Sequence, residues 1–214
     1  MKKISLIVYD FDGTLVDTLD DIALSVNLTL KELGRPLLDK EVVKTCVGSG
    51  VVMLMTRALN GSGVEDIDNA VALFRKHYGA HLMDNSAFYP NCRETIEFFS
   101  DRNQAICSNK PEDFVRKILA SLDCLHPFPS IIGGDSFKTR KPDPEGLNHL
   151  LDQYRLSPNE VVMVGDSAVD IETGKNANVH TCAVTYGMGD LQALKSLKPD
   201  WTIKDISELK QLIS

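Results

Sequence analysis

The sequence lacks an excess of positive charge. Its 23 lysine and arginine residues are outnumbered by 30 aspartate and glutamate residues, which gives a net charge of −7 and a pI of about 5.2. A protein that binds nucleic acid generally carries a basic surface that neutralises phosphates. We therefore expect no nucleic-acid partner. The net charge of the whole chain does not by itself exclude a local basic patch.

Long hydrophobic runs and paired cysteines are also missing. No stretch approaches the ~20 apolar residues of a membrane-spanning helix. The apolar run at the N-terminus is interrupted by Asp10, too early for a signal peptide. The five cysteines are scattered, and no two form a Cys-x-x-Cys pair. This is typical of reduced thiols in a cytosolic protein, not of a disulfide framework or a zinc site. We expect a cytoplasmic protein that does not enter a membrane.

What the sequence does contain is a series of short apolar runs that each end in polar residues. Continuous hydrophobicity is typical of strands that are buried on both faces of a parallel sheet. Helical patterns separate the runs, which predicts an α/β fold with an open, doubly wound, mostly parallel, Rossmann-like sheet. Such sheets bind ligands beyond the carboxyl ends of their strands. The predicted strands are 4–9, 104–107, 130–132, 161–164, 180–185 and 201–203.

One region interrupts this alternation with helices alone. A chain of 214 residues with 43% hydrophobic side chains has room for one domain with an insertion or for two small ones. We predict an α/β core from residues 1–17 and 87–214 and an all-helical cap from residues 18–86. The four predicted cap helices are a stripe over 19–33, a helix after an N-cap at Asp39, a helix between Gly50 and Gly61, and a helix over 67–82.

Two carboxylates stand directly after the first predicted strand, those of Asp10 and Asp12. The two-residue period of an extended chain places them on one side of the backbone and Phe11 on the other. Carboxylates this close repel each other unless a cation or a shared proton relieves the repulsion. Gly13 and Thr14 let the backbone turn sharply and direct N–H groups at the same place. With the sequence that follows, the pair favours a functional site over a solvated acidic turn.

Four motifs resemble, in order, those of the haloacid-dehalogenase-like phosphohydrolases. The first is DFDGTLVD at residues 10–17, and the second is Ser108 at the end of a predicted strand. The third is KPDP at 141–144, and the fourth is GDSAVD at 165–170. Each residue alone has an ordinary interpretation as a turn, loop or cap residue, but four motifs in order are specific. The predicted helical insertion corresponds to the cap of that family.

The resemblance implies a Mg²⁺-dependent phosphatase that forms an aspartyl-phosphate. Asp10 would attack phosphorus, and Asp12 would protonate the leaving oxygen and later take a proton from the attacking water. The carboxylates of Asp10 and Asp166 and the backbone carbonyl of Asp12 would hold Mg²⁺. The other implied assignments are Ser108 and Lys141 on the phosphoryl oxygens, Asp170 as the group that orients Lys141, and Gly13, Thr14 and Asn109 as substrate contacts.

The predicted cap resembles that of phosphoglycolate phosphatases, in KTCVGSG at 44–50 and in YGAHL at 78–82. This implies 2-phosphoglycolate as the substrate and glycolate and phosphate as the products. A substrate carboxylate needs donors from the cap, and we predict Ser49 and Arg57 for that role. Asp12 argues against a metal-independent dehalogenase, because dehalogenases lack this aspartate.

Other functions remain open at this stage. They are a phosphatase for pyrophosphate or a sugar phosphate, a β-phosphoglucomutase-like phosphomutase, and a catalytically silent phosphate-binding regulator. A silent protein is free to lose any of the motif residues, and here they are intact. We expect a small phosphorylated metabolite as the partner of a monomer or a homodimer.

Overall fold

A computed structural model describes residues 2–59 and 67–213, and a parallel sheet lies at its centre. Six of the described strands form this sheet in the order β5-β4-β1-β6-β7-β8, and β2 and β3 pair separately. The doubly wound α/β fold predicted from the sequence is confirmed. The strands are β1 (Leu6–Tyr9), β2 (Val16–Asp17), β3 (Ala87–Phe88), β4 (Asn103–Cys107), β5 (Ser130–Ile132), β6 (Val161–Gly165), β7 (His180–Val184) and β8 (Trp201–Ile203).

Helices cover both faces of the sheet and fill the insertion after β2. In the described residues, no helix is long and apolar enough to cross a membrane. The stop predicted at Gly61 for the third helix lies outside the described residues. The helices are α1 (Leu19–Glu32), α2 (Lys40–Cys46), α3 (Val51–Leu59), α4 (Ile67–Ala80), α5 (Cys92–Phe98), α6 (Glu112–Ser121), α7 (Glu145–Tyr154), α8 (Ala168–Asn176), α9 (Leu191–Ser196) and α10 (Leu209–Leu212).

Alternate side chains of β1 enter two different hydrophobic cores. Ile7 and Tyr9 belong to the larger core, which includes apolar side chains of α5 and α6. Leu6 and Val8 belong to a smaller core with side chains of α7. All four are fully buried, which explains why this strand is apolar without alternation.

The helical insertion is joined to the sheet through a two-stranded ribbon. Val16 pairs with Phe88 and Asp17 with Ala87 in antiparallel register, so the chain leaves and returns at one place. The insertion shares the larger core with the sheet. The ribbon lies at the boundaries predicted for the cap, and we retain the assignment of residues 18–86 to a cap as a proposal.

The ribbon is reinforced by a buried carboxylate on α1. Asp21 accepts hydrogen bonds from the backbone N–H groups of Asn85 and Ser86 and from both of their side chains, at 2.6–3.1 Å. Its side chain is fully enclosed. Asp21 therefore ties the outgoing segment of the insertion to the returning one.

Candidate active site

Residues that follow three neighbouring strands meet at one edge of the sheet. β1 pairs in parallel with both β4 and β6, and Asp10, Ser108 and Asp166 come directly after these strands. All three are buried. The carboxyl ends of the strands thus hold the predicted site, where open α/β sheets bind ligands.

Three carboxylates form a buried acidic cluster here. Asp10, Asp166 and Asp170 each place a carboxylate oxygen within 4.8 Å of the others. Burial, together with the negative charges of Asp170 and Asp10, raises the pKa of Asp166 to about 7. Burial and the Asp10 charge raise the pKa of Asp170 as well. Burial and the neighbouring negative charges therefore both oppose ionisation of Asp166 and Asp170.

Asp166 is held in one orientation by three donors. The Thr14 hydroxyl donates to one carboxylate oxygen at 3.0 Å. The backbone N–H groups of Met188 and Gly189 donate to the other at 2.7 and 3.0 Å. These bonds fix the carboxylate before any ligand arrives. Ligand binding therefore spends no free energy on orienting Asp166.

Lys141 neutralises part of the acidic cluster. Its ammonium lies 2.9 Å from Asp10 Oδ1 and 2.5 Å from Asp170 Oδ1. Burial acts to lower the pKa of Lys141, but the Asp10 and Asp170 carboxylates outweigh it and raise the pKa above its usual range. Asp170 also accepts hydrogen bonds from the backbone N–H and the hydroxyl of Ser167. Asp170 thus lies where the predicted role of orienting Lys141 requires it.

Asp12 is paired with a second lysine that the sequence analysis did not single out. Lys110 Nζ lies 2.9 and 3.2 Å from the two Asp12 carboxylate oxygens, and the Thr18 hydroxyl donates to Asp12 at 2.6 Å. Lys110 also donates to the Tyr78 hydroxyl at 2.6 Å. Tyr78 belongs to α4 of the insertion, so Lys110 links Asp12 to the insertion across the site.

The Lys110 side chain carries its charge although it is buried. Burial acts to lower the pKa of Lys110, but the Asp12 carboxylate and the Tyr78 hydroxyl outweigh it and raise the pKa. The ammonium also lies 4.4 Å from the centre of the Tyr78 ring, within reach of a cation–π interaction.

A cleft between the insertion and the sheet edge contains Asp10 and Asp12. Its empty space is about 500 Å³, part of it open to solvent. The side toward the insertion is mostly apolar. The residues that line the cleft are Asp10, Asp12, Ile22, Val47, Gly48, Gly50, Val51, Leu54, Phe74, Tyr78, Ser108, Asn109, Lys110, Pro111 and Phe114.

The predicted phosphoryl and substrate contacts of the core divide into two groups. Ser108 and Asn109 line the cleft, and Asn109 donates its amide hydrogens to the Gly48 and Lys141 carbonyls at 3.0 Å. The N–H groups of Gly13 and Thr14 instead donate to carbonyls within their own turn. These bonds occupy the donors that were expected to face a phosphate. The substrate contacts of Gly13, Thr14 and Asn109 stay predictions that the hydrogen bonds do not support.

The two predicted cap contacts bond to each other outside the lining of the cleft. The exposed Arg57 side chain donates to Ser49 Oγ at 3.1 Å and to the Cys46 carbonyl at 3.3 Å. Its guanidinium therefore braces the turn between α2 and α3. Of this turn, Val47, Gly48 and Gly50 reach the cleft. The roles predicted for Ser49 and Arg57 stay untested, and their positions give those roles no support.

The acidic cluster fits the Mg²⁺ that the resemblance implies. Three buried carboxylates face the single ammonium of Lys141, so negative charge remains that a divalent cation would balance. Carboxylate and carbonyl oxygens are also the ligands that Mg²⁺ prefers. The resemblance implies that Asp10 and Asp166, with the Asp12 carbonyl, would hold the ion, and Asp170 instead accepts hydrogen bonds from Lys141 and Ser167.

Sequence reasoning missed Lys110 and the loop at Met188 and Gly189. Lys110 belongs to a polar run after β4, Ser108-Asn109-Lys110, and that run was the available signal. The loop follows β7 at the same sheet edge, and its position after a strand was the signal there. The contacts of Lys110 with Asp12 and of the loop with Asp166 join residues that are distant in sequence. The position of each segment after a strand therefore does not reveal which residue it contacts.

Comparisons with known proteins agree with this architecture. A family model described as haloacid dehalogenase-like hydrolase matches residues 7–184. A phosphoglycolate phosphatase of Haemophilus influenzae is 33% identical over an alignment of 221 positions, gaps included, which covers 99% of this chain and 99% of that protein. A phosphoglycolate phosphatase of Psychrobacter arcticus is 35% identical, over 95% of this chain and 93% of that protein.

A solved structure is similar over the whole chain. The crystal structure of a predicted phosphoglycolate phosphatase from Haemophilus somnus superposes with a TM-score of 0.94 at 31% sequence identity. The superposition covers 99% of each chain. The similarity therefore includes both the sheet and the helical insertion.

Proposed function

The chain belongs to the haloacid dehalogenase-like hydrolase family, and from that premise we propose that it is a Mg²⁺-dependent phosphatase that hydrolyses 2-phosphoglycolate to glycolate and phosphate. The observation that carries the proposal is the placement of Asp10 in the acidic cluster and in the lining of the cleft, next to Asp12. The names of the curated relatives support the choice of substrate.

The first step transfers the phosphoryl group to Asp10. A carboxylate oxygen of Asp10 forms a bond to phosphorus while the bond from phosphorus to the ester oxygen breaks. The leaving oxygen takes the electron pair of that bond and receives a proton from Asp12, which enters this step as the carboxylic acid and leaves it as the carboxylate. In the second step the Asp12 carboxylate accepts a proton from water as the water oxygen bonds to phosphorus, and the bond from phosphorus to Asp10 breaks with its electron pair returning to the Asp10 carboxylate.

Charge in the cleft supports both steps. Lys141, held by Asp170, offsets the negative charge of the phosphoryl oxygens, and the Ser108 hydroxyl donates to one of them. When bound by Asp10, Asp166 and the Asp12 carbonyl, Mg²⁺ would add positive charge beside the phosphoryl dianion. The apolar side of the cleft keeps bulk water from the aspartyl-phosphate.

We also propose a cytoplasmic location. All five cysteines are free and buried, and burial raises the pKa of the Cys107 thiol to about 12. Such thiols need no disulfide partner and fit a reducing compartment. Fractionation of cells that express the chain tests this proposal directly.

Phosphate release from 2-phosphoglycolate with and without Mg²⁺ tests the proposed activity. We expect turnover that a chelator abolishes, and we expect Asp10→Asn to abolish turnover because the amide is no nucleophile. Asp152→Asn on the exposed side of α7 is the matched control, because it removes one carboxylate that is not part of the cleft lining. Near-normal turnover by folded Asp10→Asn protein would falsify the mechanism.

A panel of phosphate esters separates the remaining functions. A higher kcat/KM for pyrophosphate or a sugar phosphate rejects 2-phosphoglycolate and leaves the phosphatase class. Net isomerisation of a sugar phosphate identifies a phosphomutase. Absence of turnover with every ester, p-nitrophenyl phosphate included, identifies a silent phosphate-binding protein.

A further inference from the structure

The cleft contains one cation that the hydrolytic steps do not use. Among the described residues that line it, Lys110 alone is a lysine, arginine or histidine. Lys141, the other buried lysine of the site, lies outside this lining and is the residue proposed for the phosphoryl oxygens. An anionic group that enters this cleft beside the phosphoryl group therefore meets Lys110.

The position of Lys110 places it near the leaving group. In the proposed mechanism Asp12 protonates the ester oxygen, so that oxygen lies beside the Asp12 carboxylate. Lys110 Nζ is 2.9 Å from one Asp12 oxygen and 3.2 Å from the other. Atoms up to three bonds beyond the ester oxygen, which include the oxygens of an adjacent carboxylate, therefore come within reach of Nζ.

Lys110 can turn one donor toward a substrate. An ammonium offers three N–H groups, and the described acceptors of Nζ are the two Asp12 carboxylate oxygens, at 2.9 and 3.2 Å, and the Tyr78 hydroxyl at 2.6 Å. A substrate carboxylate would replace the longer of the two contacts to Asp12. The side chain itself is 4% exposed, so a carboxylate that reaches it is shielded from water. A charged hydrogen bond made in such surroundings is stronger than one at the surface.

The rest of the cleft limits what else the leaving group can contain. Val47, Val51, Leu54 and Phe74 form its wall on the insertion side and offer no side-chain hydrogen bond. The hydroxyl groups of a sugar would lose their water there without replacement, which is costly. A small leaving group with a single anionic end fits this cleft, because the wall is apolar and the lining supplies the one ammonium of Lys110.

We propose that Lys110 binds the carboxylate of the leaving group and selects phosphate monoesters that carry a carboxylate next to the ester carbon. The proposal rests on the phosphatase function above and assigns the substrate carboxylate to a core lysine instead of Ser49 and Arg57. Tyr78 holds Lys110 from the cap side, so the complete subsite needs the insertion in place.

The experiment compares 2-phosphoglycolate with its neutral carboxamide, which shares the same ester linkage. We expect the wild-type protein to prefer the carboxylate in kcat/KM by roughly 10²-fold, because the amide presents no negative charge to the buried ammonium of Lys110. In Lys110→Met the preference is expected to fall to about one, with a side chain of similar length and no charge. Lys110→Arg, which keeps the charge, is expected to retain a preference. Lys117→Met, an exposed lysine of α6, is the matched control and is expected to leave the preference unchanged.

Three results overturn the assignment. One is a wild-type protein that turns over both esters equally well, a measurement that needs no variant. A second is a Lys110→Met protein in which both rates fall by the same factor, because Lys110 then only positions Asp12. The third is loss of the preference in Arg57→Met and not in Lys110→Met. Absence of phosphate release from every monoester, p-nitrophenyl phosphate included, overturns the proposed function itself and the assignment with it.

Discussion

Gly187 and Gly189 bring the loop after β7 into direct contact with the acidic cluster. A Cβ atom at Gly187 would overlap the Gly13 carbonyl and the Asp166 carboxylate, and one at Gly189 would overlap the Asp166 carbonyl. This close approach lets the neighbouring N–H groups of Met188 and Gly189 bond to Asp166. The glycines are therefore part of how Asp166 is oriented.

Gly187→Ala is expected to lower kcat/KM for the phosphate ester by at least tenfold, because the new methyl group displaces either the loop or Asp166. We also expect a lower melting temperature, since the overlap involves backbone. Gly79→Ala in α4 is the control: its Cβ would meet the Phe114 ring at 3.9 Å, an ordinary contact. Equal effects of the two substitutions on activity would contradict this account of the loop.

Asp12→Asn is expected to reduce turnover of an alkyl phosphate by roughly 10²–10⁴-fold, the usual worth of a general acid and base. In the phosphorylation step, p-nitrophenyl phosphate is expected to lose much less, because its leaving group departs without a proton. Rapid-mixing measurement of nitrophenol release separates that step from hydrolysis of the intermediate. Equal losses for both esters in phosphorylation would remove Asp12 from the acid role.

The same substitution has a cost in stability that the mechanism alone does not predict. Asp12 is the carboxylate partner of Lys110, whose side chain is 4% exposed. Removal of one partner of a buried ion pair typically costs on the order of 3 kcal/mol. The kinetic comparison is therefore best made well below the melting temperature of the variant.

At the scale of elements, Asp21 joins the two segments that connect the insertion to the core. Asp21→Ala leaves the N–H groups of Asn85 and Ser86 without their acceptor, and we expect the free energy of unfolding to fall by about 2–4 kcal/mol. Asp20→Ala is the matched control, because Asp20 is exposed and pairs with Lys40 at the surface, where an ion pair contributes little. Urea unfolding of both variants measures the difference, and comparable losses would contradict the clamp.

Elements with a strong local pattern were predictable from sequence, and contacts between distant elements were not. The apolar runs predicted all six strands of the parallel sheet, and four helical stripes predicted α1–α4. The ribbon of β2 and β3 escaped prediction because two-residue strands carry no periodicity. Its pairing depends on the insertion bringing residues 17 and 87 together.

The site shows the same division. The acidic residues and Lys141 were predicted from motifs that lie next to strand ends, and the structure gathers them at one sheet edge. The pairing of Lys110 with Asp12 spans 98 positions of the chain, so it has no signature in the sequence. Arg57 was predicted for the substrate from its charge, but the helical pattern does not reveal that its guanidinium bonds to Ser49 and the Cys46 carbonyl.

For the molecule as a whole, the acidic cluster predicts stabilisation by Mg²⁺. An ion bound by the folded protein alone raises stability by mass action, about 2.7 kcal/mol at a concentration 100 times Kd. For a chain of this length that is a rise in Tm of roughly 5–10 °C. Thermal melts with Mg²⁺ and with a chelator measure it. Asp10→Asn is expected to reduce the rise, and an equal rise in that variant would contradict the proposed ligand set.

The pairing of Val16 with Phe88 also bears on the order in which the chain folds. β1 and β4 are neighbours in the sheet, yet Leu6 must find Asn103 across the whole insertion. If α1–α4 assemble first, the ribbon joins residues 16 and 88. The loop that must still close for β1 to pair with β4 is then several times shorter than the stretch from residue 6 to residue 103. The entropy of closing a loop grows with the logarithm of its length, so an early insertion lowers that barrier by on the order of 1 kcal/mol. The insertion, whose residues form one wall of the cleft in the folded protein, would thereby bring two central strands of the sheet together during folding.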